Sequence, residues 1–182
     1  EGFFSDMADM VKNYADRYKV ESIILASPAF WKEDIFKIIK KKYSELAPKI
    51  TLATCNDTGK SGIDEVLKRD EVKTVLQKDR TTRELKVVDE LLGEIAKDQL
   101  AAYGFDAVKQ AVDAKAVAKL LVTDDLIQEL RSKNQFKDLE KLMRLVDNAG
   151  GDVHIIAVSN EGGKKLKGLG GIGAVLRYKL KY

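Results

Sequence analysis

The run Ile23-Ile24-Leu25-Ala26, closed by Ser27-Pro28, decides the fold. Four apolar residues without alternation, ended by a turn pair, read as a strand buried on both faces. Before it, Phe3, Phe4, Met7, Val11, Tyr14 and Tyr18 fall at helical spacing, so residues 3–18 read as an amphipathic helix. After it, Ile35, Phe36, Ile38, Ile39, Tyr43 and Leu46 mark a second helix, which Pro48 is expected to stop. Ile50-Thr51-Leu52-Ala53-Thr54 is the next strand, and the polar turn from Asn56 to Gly62 leads into a short helix opened by Ile63, Val66 and Leu67. The order α-β-α-β-α implies a parallel sheet with helices packed on it.

Val72, Val75 and Leu76 continue the helical pattern, and the charged stretch from Gln77 to Glu84 interrupts the apolar pattern. The domain boundary is placed there, giving a first domain over 1–81 and a second over 82–182. The second domain starts with a long helix through Leu85, Val88, Leu91, Leu92 and Ile95, followed by a helix from Phe105 to Asp113 and a strand from Val117 to Val122. Thr123-Asp124-Asp125 supplies an N-cap for the next helix. A further helix carries Leu139, Leu142, Met143, Leu145 and Val146 and ends at Gly150-Gly151. Val153 to Val158 reads as a strand and Glu161 to Lys167 as a short helix. Ile172, Ala174, Leu176 and Tyr178 alternate with smaller or charged residues, which predicts a final strand. This domain is therefore also α/β, with three layers.

The 182 residues suffice for one large or two small domains, and 45% hydrophobic with 34% charged residues excludes a disordered chain. No apolar run approaches the roughly 18 residues of a membrane span, so no membrane partner is expected. The single Cys55 rules out an internal disulfide and every multi-cysteine metal site, and the single His154 rules out a two-histidine one. A lone thiol with abundant Lys and Glu suits the cytosol. The chain opens at Glu1 on a helical pattern, and a helix opening an α/β unit usually follows a strand, so a fragment is expected.

The motifs that could carry chemistry fail on context. Gly59-Lys60-Ser61 follows a strand and precedes a helix, like the end of a phosphate loop, but Thr54 stands where the loop needs its first glycine. It reads as a polar turn with Gly62 easing the bend. Gly168-Leu169-Gly170-Gly171-Ile172-Gly173 has dinucleotide spacing, yet it closes a helix and opens a strand, the reverse of the required order. It reads as a helix C-cap. Cys55 reads as core, His154 as a structural or edge residue, and Asp124-Asp125 as capping acids. No catalytic residue, cofactor site or metal site is assigned.

Charge is informative locally. Net charge is only +3, with 15 basic and 14 acidic groups in 1–81 and 17 and 15 in 82–182. Lys37, Lys40, Lys41 and Lys42 concentrate on one helix, and Lys37, Lys40 and Lys41, three or four apart, share a face able to attract RNA phosphate or an acidic protein. Lys164, Lys165, Lys167, Arg177, Lys179 and Lys181 form a second concentration without an acid from 164 to the end. Trp31 beside Phe30 puts two large aromatics at a strand-to-helix turn, facing either the core or a partner.

Several stretches together resemble the Pelota family, ribosome-rescue relatives of the class I termination factors. Ala26-Ser27-Pro28-Ala29-Phe30 resembles that family's Ser-Pro-Gly-Phe turn. Glu71 to Leu76 and Arg83 to Asp89 resemble its passage from central to C-terminal domain. Ala102 to Val108 with Leu120 to Leu126 resembles the start of its C-terminal domain, and Gly168 to Tyr178 its end. The likeness runs over nearly the whole chain and fits an archaeal member.

The resemblance implies the last two of three domains: a truncated RNase H-like central domain lacking its first strands, and an L7Ae-like C-terminal domain. The implied function is ribosome rescue and mRNA surveillance (no-go decay), by a tRNA mimic that enters the vacant ribosomal A site. An elongation-factor-1A-type translational GTPase would deliver it, and an ABCE-class recycling ATPase would work with it to separate the subunits without peptide release. A monomer is expected. An endoribonuclease activity with divalent metal is attributed to the family's N-terminal domain, so the fragment is expected to be no enzyme and to need no cofactor. The implied GTPase or RNA contact residues are Pro28, Ala29 and Phe30, joined by Lys37, Lys40 and Lys41. Ala29 departs from the family's glycine, which puts a positive φ there in question. Two rival functions are a metal-dependent endoribonuclease acting on stalled mRNA and a kink-turn RNA-binding module. The first needs acids at strand ends, and residues 22–26 and 50–54 carry none.

Overall fold

The computed structural model describes residues 2–180, and the chain divides into two compact units, Glu1–Arg80 and Thr81–Tyr182. In the first unit, helix α1 (Gly2–Tyr18) precedes strand β1 (Ile23–Ser27), helix α2 (Trp31–Lys42), strand β2 (Ile50–Thr54) and helix α3 (Lys60–Val66). β1 and β2 pair in parallel, with Ile23 opposite Ile50 and Ser27 opposite Thr54. Residues alternate between the two sheet faces. Leu25 packs with Ala8, Ala15, Ile35, Ile39 and Leu46 beneath α1 and α2, while Ile24 and Ala26 turn to Ala53, Cys55, Val66 and Val72. Ile39, fully buried, contributes about 1.5–3 kcal/mol by leaving water. Neither strand has another strand partner among the described residues.

Pro48 does not end the second helix. α2 stops at Lys42, where Tyr43 leaves helical geometry at φ −139°, and Pro48 sits inside a 3₁₀ turn, Ser44–Lys49. The proline ring is tolerated in so short a helix because few N–H groups there have an intrahelical acceptor to lose.

The charged stretch interrupts the apolar pattern but not the helix. Helix α4 runs unbroken from Asp70 to Ala96. No Gly or Pro occurs between Asp70 and Leu92, so nothing breaks the backbone; the apolar residues lapse because much of the middle of the helix faces solvent. Val72 packs in the first unit, and Val87, Val88 and Leu91 pack in the second.

The second unit continues through strand β3 (Ala101–Tyr103), helix α5 (Phe105–Asp113), strand β4 (Val117–Thr123) and helices α6 (Asp124–Ser132) and α7 (Phe136–Asn148). Strand β5 (Asp152–Ile156), helix α8 (Glu161–Gly168) and strand β6 (Ile172–Leu176) complete it. The strand order is β3-β6-β4-β5; β6 runs antiparallel to both neighbours, and β4 is parallel to β5. One face carries Val108, Val112, Leu139, Leu142 and Val146 from α5 and α7, and the other carries Val88, Leu91 and Leu166 from α4 and α8. This is the expected three-layer α/β/α arrangement.

The final strand lies where its pattern placed it, but it is shorter and covered on both faces. All five residues of β6 are buried, and the strand stops at Leu176, before the exposed Tyr178. β6 is an inner strand with helices on both faces, and α4 approaches its backbone so closely that a Cβ on Gly173 would lie 2.5 Å from Leu91 Cδ2. β3 went unread because two alanines and one tyrosine give no periodic signal.

Candidate functional site

The turn between β1 and α2 is built from its two ends. Ser27 ends β1; its carbonyl accepts from Cys55 N–H at 3.4 Å, and its hydroxyl oxygen accepts from Lys32 N–H at 2.9 Å. Phe30 opens α2, its carbonyl accepting from Glu33 N–H at 3.2 Å and from Asp34 N–H at 3.4 Å. Between them Ala29 adopts φ +50°, the left-handed conformation that its methyl group made doubtful from sequence. The result leaves Phe30 77% exposed and outside the core clusters, and Trp31 53% exposed. Pro28 is half-buried and Ala29 is exposed.

Lys32 is the member of this site that sequence reasoning missed. It is only 6% exposed, its ammonium donates to Ala29 O at 2.8 Å, and it lies 3.2 Å from Glu33 Oε1. A lysine in a basic helix reads as solvated surface, and only its proximity to a turn-forming Ser-Pro could have flagged it.

Lys37, Lys40 and Lys41 are all exposed on α2. Lys37 reaches Asp34 at 3.5 Å with its side chain still 77% exposed, and Lys40 and Lys41 have no ion-pair partner among the described residues. Lys42 does not join them. Its ammonium lies 2.6 and 2.8 Å from the two Asp9 carboxylate oxygens and 3.2 Å from Ser5 Oγ, tying α2 to α1. Tyr43 donates its hydroxyl to the same Asp9. Hydrogen bonds from Lys42 and then Tyr43 hold the Asp9 carboxyl below the usual carboxylate range.

An apolar cavity of about 510 Å³ borders the turn, lined by Phe4, Leu25, Trp31, Ile35, Cys55 and Ile63 among others. Cys55 is buried there, as expected of a core thiol. Beside it the polar turn holds itself together: Asp57 accepts from Ser61 Oγ and from Thr58 N–H, bonds that keep its carboxyl low. A Cβ on Gly62 would lie 2.1 Å from Asp57 O, so the glycine is required by close approach, and the turn is a structural one.

The second basic concentration is largely consumed in tying the fold together. Lys165 pairs with Asp89 at 3.3 Å and Glu161 at 3.4 Å, and Lys167 with Asp125 at 2.7 Å. That ammonium holds the Asp125 carboxyl below its usual range. Arg177 donates to Ala149 O and Lys179 to Asp98 O. Lys181 lies outside the described residues.

Thr123 caps α6, its hydroxyl oxygen accepting from Leu126 N–H, while Asp124 accepts from Val158 N–H at 3.0 Å. Gly170 and Gly171 close α8 with positive φ, and Gly171 N–H reaches Leu166 O at 3.0 Å. His154 lies on β5, at the sheet edge. Among the described residues no three His, Cys, Asp or Glu side chains converge to hold a metal ion. No described helix is long and apolar enough to cross a membrane.

Comparison with known proteins agrees with this architecture. Residues 1–78 match the family model for eRF1 domain 2, and residues 81–180 match that for eRF1 domain 3. The protein pelota homolog of Thermococcus kodakarensis is 42% identical over 98% of this chain and 49% of its own length. The chain thus spans about half the length of the relatives it matches. An archaeal Pelota determined as a ribosome-bound complex with ABCE1 superposes with a TM-score of 0.69 at 40% identity, covering 98% of this chain and 49% of that one. Saccharomyces cerevisiae Dom34, a translation termination-like factor of RNA quality control that interacts with Hbs1, gives 0.61 at 26% identity, covering 99% and 54%.

Proposed function

The chain belongs to the eRF1 family and is of its Pelota type, and on that footing we propose that it is the docking portion of a ribosome rescue factor. Its two units act as shape-matched bodies in the cytoplasm. With an elongation-factor-1A-type GTPase they occupy the vacant A site of a stalled ribosome as a tRNA does. An ABCE-class ATPase then joins, and the subunits separate. No bond-breaking step is assigned to this chain. The observation that carries the reading is a match over essentially the whole chain to Pelota proteins, one of them a ribosome-bound complex with ABCE1.

Within the chain, the Pro28-Ala29-Phe30 turn and the exposed Lys37, Lys40 and Lys41 form the contact to GTPase or A-site RNA. Two exposed aromatics on a fixed turn resemble the anchors that dominate interfaces, and the exposed cations, of which only Lys37 has an acid nearby (Asp34 at 3.5 Å), are available to phosphate or acid. Reversing Lys37, Lys40 and Lys41 to glutamate tests this. The variant should bind more weakly to ribosomes and to the GTPase at low salt. The slope of log affinity against log salt should also flatten, by about two to three if all three touch phosphate. Unchanged affinity at every salt concentration refutes the contact.

A further inference from the structure

Three bonds converge on the β1–α2 turn from a single buried lysine: Lys32 N–H to Ser27 Oγ at 2.9 Å, Lys32 ammonium to Ala29 O at 2.8 Å, and the ammonium to Glu33 Oε1 at 3.2 Å. The lysine stem is buried with them. Backbone bonds close the turn at Ser27 O and Phe30 O, but the bond given to Ala29, which takes a left-handed φ that an alanine disfavours, comes from the Lys32 side chain. Such a conformation persists only where its surroundings over-determine it. The group that does so is the Lys32 ammonium, which fixes the carbonyl of the strained residue itself. Phe30, the next residue, then leaves the turn in one direction, 77% exposed and outside every core cluster.

We propose that Lys32, with Ser27, is a positioning latch that pre-sets Phe30 for its partner, so that the aromatic docks without first being ordered. This rests on the reading of the turn as a docking site. A mobile phenylalanine on a free loop would lose conformational freedom on binding, and a latched one has lost it already. Lys32 touches no partner in this scheme; it acts through the Ala29 carbonyl.

Trp31, the only tryptophan of the chain, lies between Phe30 and Lys32 and reports the turn directly. Lys32→Met removes the donor and keeps the stem. It should raise acrylamide quenching of Trp31 and weaken binding of purified, GTP-analogue-loaded elongation-factor-1A-type GTPase about tenfold, as loss of a charged hydrogen bond would. Lys32→Arg, which retains a cationic donor, should restore both readouts most of the way. A folded Lys32→Met variant with unchanged quenching and unchanged affinity overturns the latch. Should Lys32→Met lose its far-ultraviolet circular dichroism, Ser27→Ala decides by the same two readouts, since it removes only the acceptor at the start of the turn. Phe30→Ala separates the two ideas. If it leaves GTPase affinity unchanged, the docking reading fails, and the quenching of Trp31 in Lys32→Met still tests the latch by itself.

Discussion

Ala29 carries a methyl group in a left-handed backbone that suits glycine, and it stores strain there. A non-glycine residue pays roughly 1–2 kcal/mol for that conformation, part of which is offset because alanine restricts the unfolded chain more than glycine does. Ala29→Gly should therefore stabilise the first unit by up to about 1 kcal/mol, read as a higher urea midpoint for loss of Trp31 fluorescence. A lower midpoint would mean that the turn is not strained. The turn was legible in the sequence as Ser27-Pro28-Ala29-Phe30, because turn chemistry is local. Its latch was not, since the burial of Lys32 belongs to the folded turn and leaves no mark in a basic helical sequence. For the same reason Lys42 read as one more surface cation, although it spends its charge on Asp9, a residue of another helix.

Between elements, that Asp9 ion pair fixes α1 to α2, and its pH dependence has a definite sign. The folded carboxyl titrates below its unfolded value because Lys42 and Tyr43 donate to it. Its contribution is thus complete above the unfolded pKa of about 4 and disappears as pH falls through the lower folded value. Asp9→Asn should unfold earlier than the unaltered protein at pH 7, with the difference closing as pH falls below about 4. A difference independent of pH would contradict the pair. In the second unit α4 is anchored by Glu84, a buried carboxylate accepting from Ala157 N–H at 3.0 Å and from Asn160 Nδ2. Glu84→Ala should cost about 2 kcal/mol, measured by urea unfolding followed by circular dichroism, and a loss within about 0.5 kcal/mol would show the anchor to be idle. Most elements were legible from periodicity, as in α7, whose Leu139, Leu142 and Val146 are all buried. The exceptions have physical causes: the continuity of α4 crosses a solvent-facing stretch with no apolar signal, and β3 is three residues long.

At the scale of the molecule, both units are α/β, and each sheet has helices on its two faces. That class followed from the order of helix and strand patterns, which chain connectivity constrains strongly. The placement of charge did not follow. Of the two basic concentrations seen in sequence, Lys37, Lys40 and Lys41 remain exposed, whereas Lys165, Lys167, Arg177 and Lys179 bond to acids or carbonyls of their own unit. In the proposed function the first unit therefore carries the electrostatic contact, and both units dock. Co-sedimentation of the full-length protein with ribosomes is the direct test of that claim. The protein should pellet with ribosomes whose A site is vacant, more so with the GTP-loaded GTPase, and should stay in the supernatant when tRNA fills the site. Equal pelleting with vacant and tRNA-filled ribosomes would contradict it.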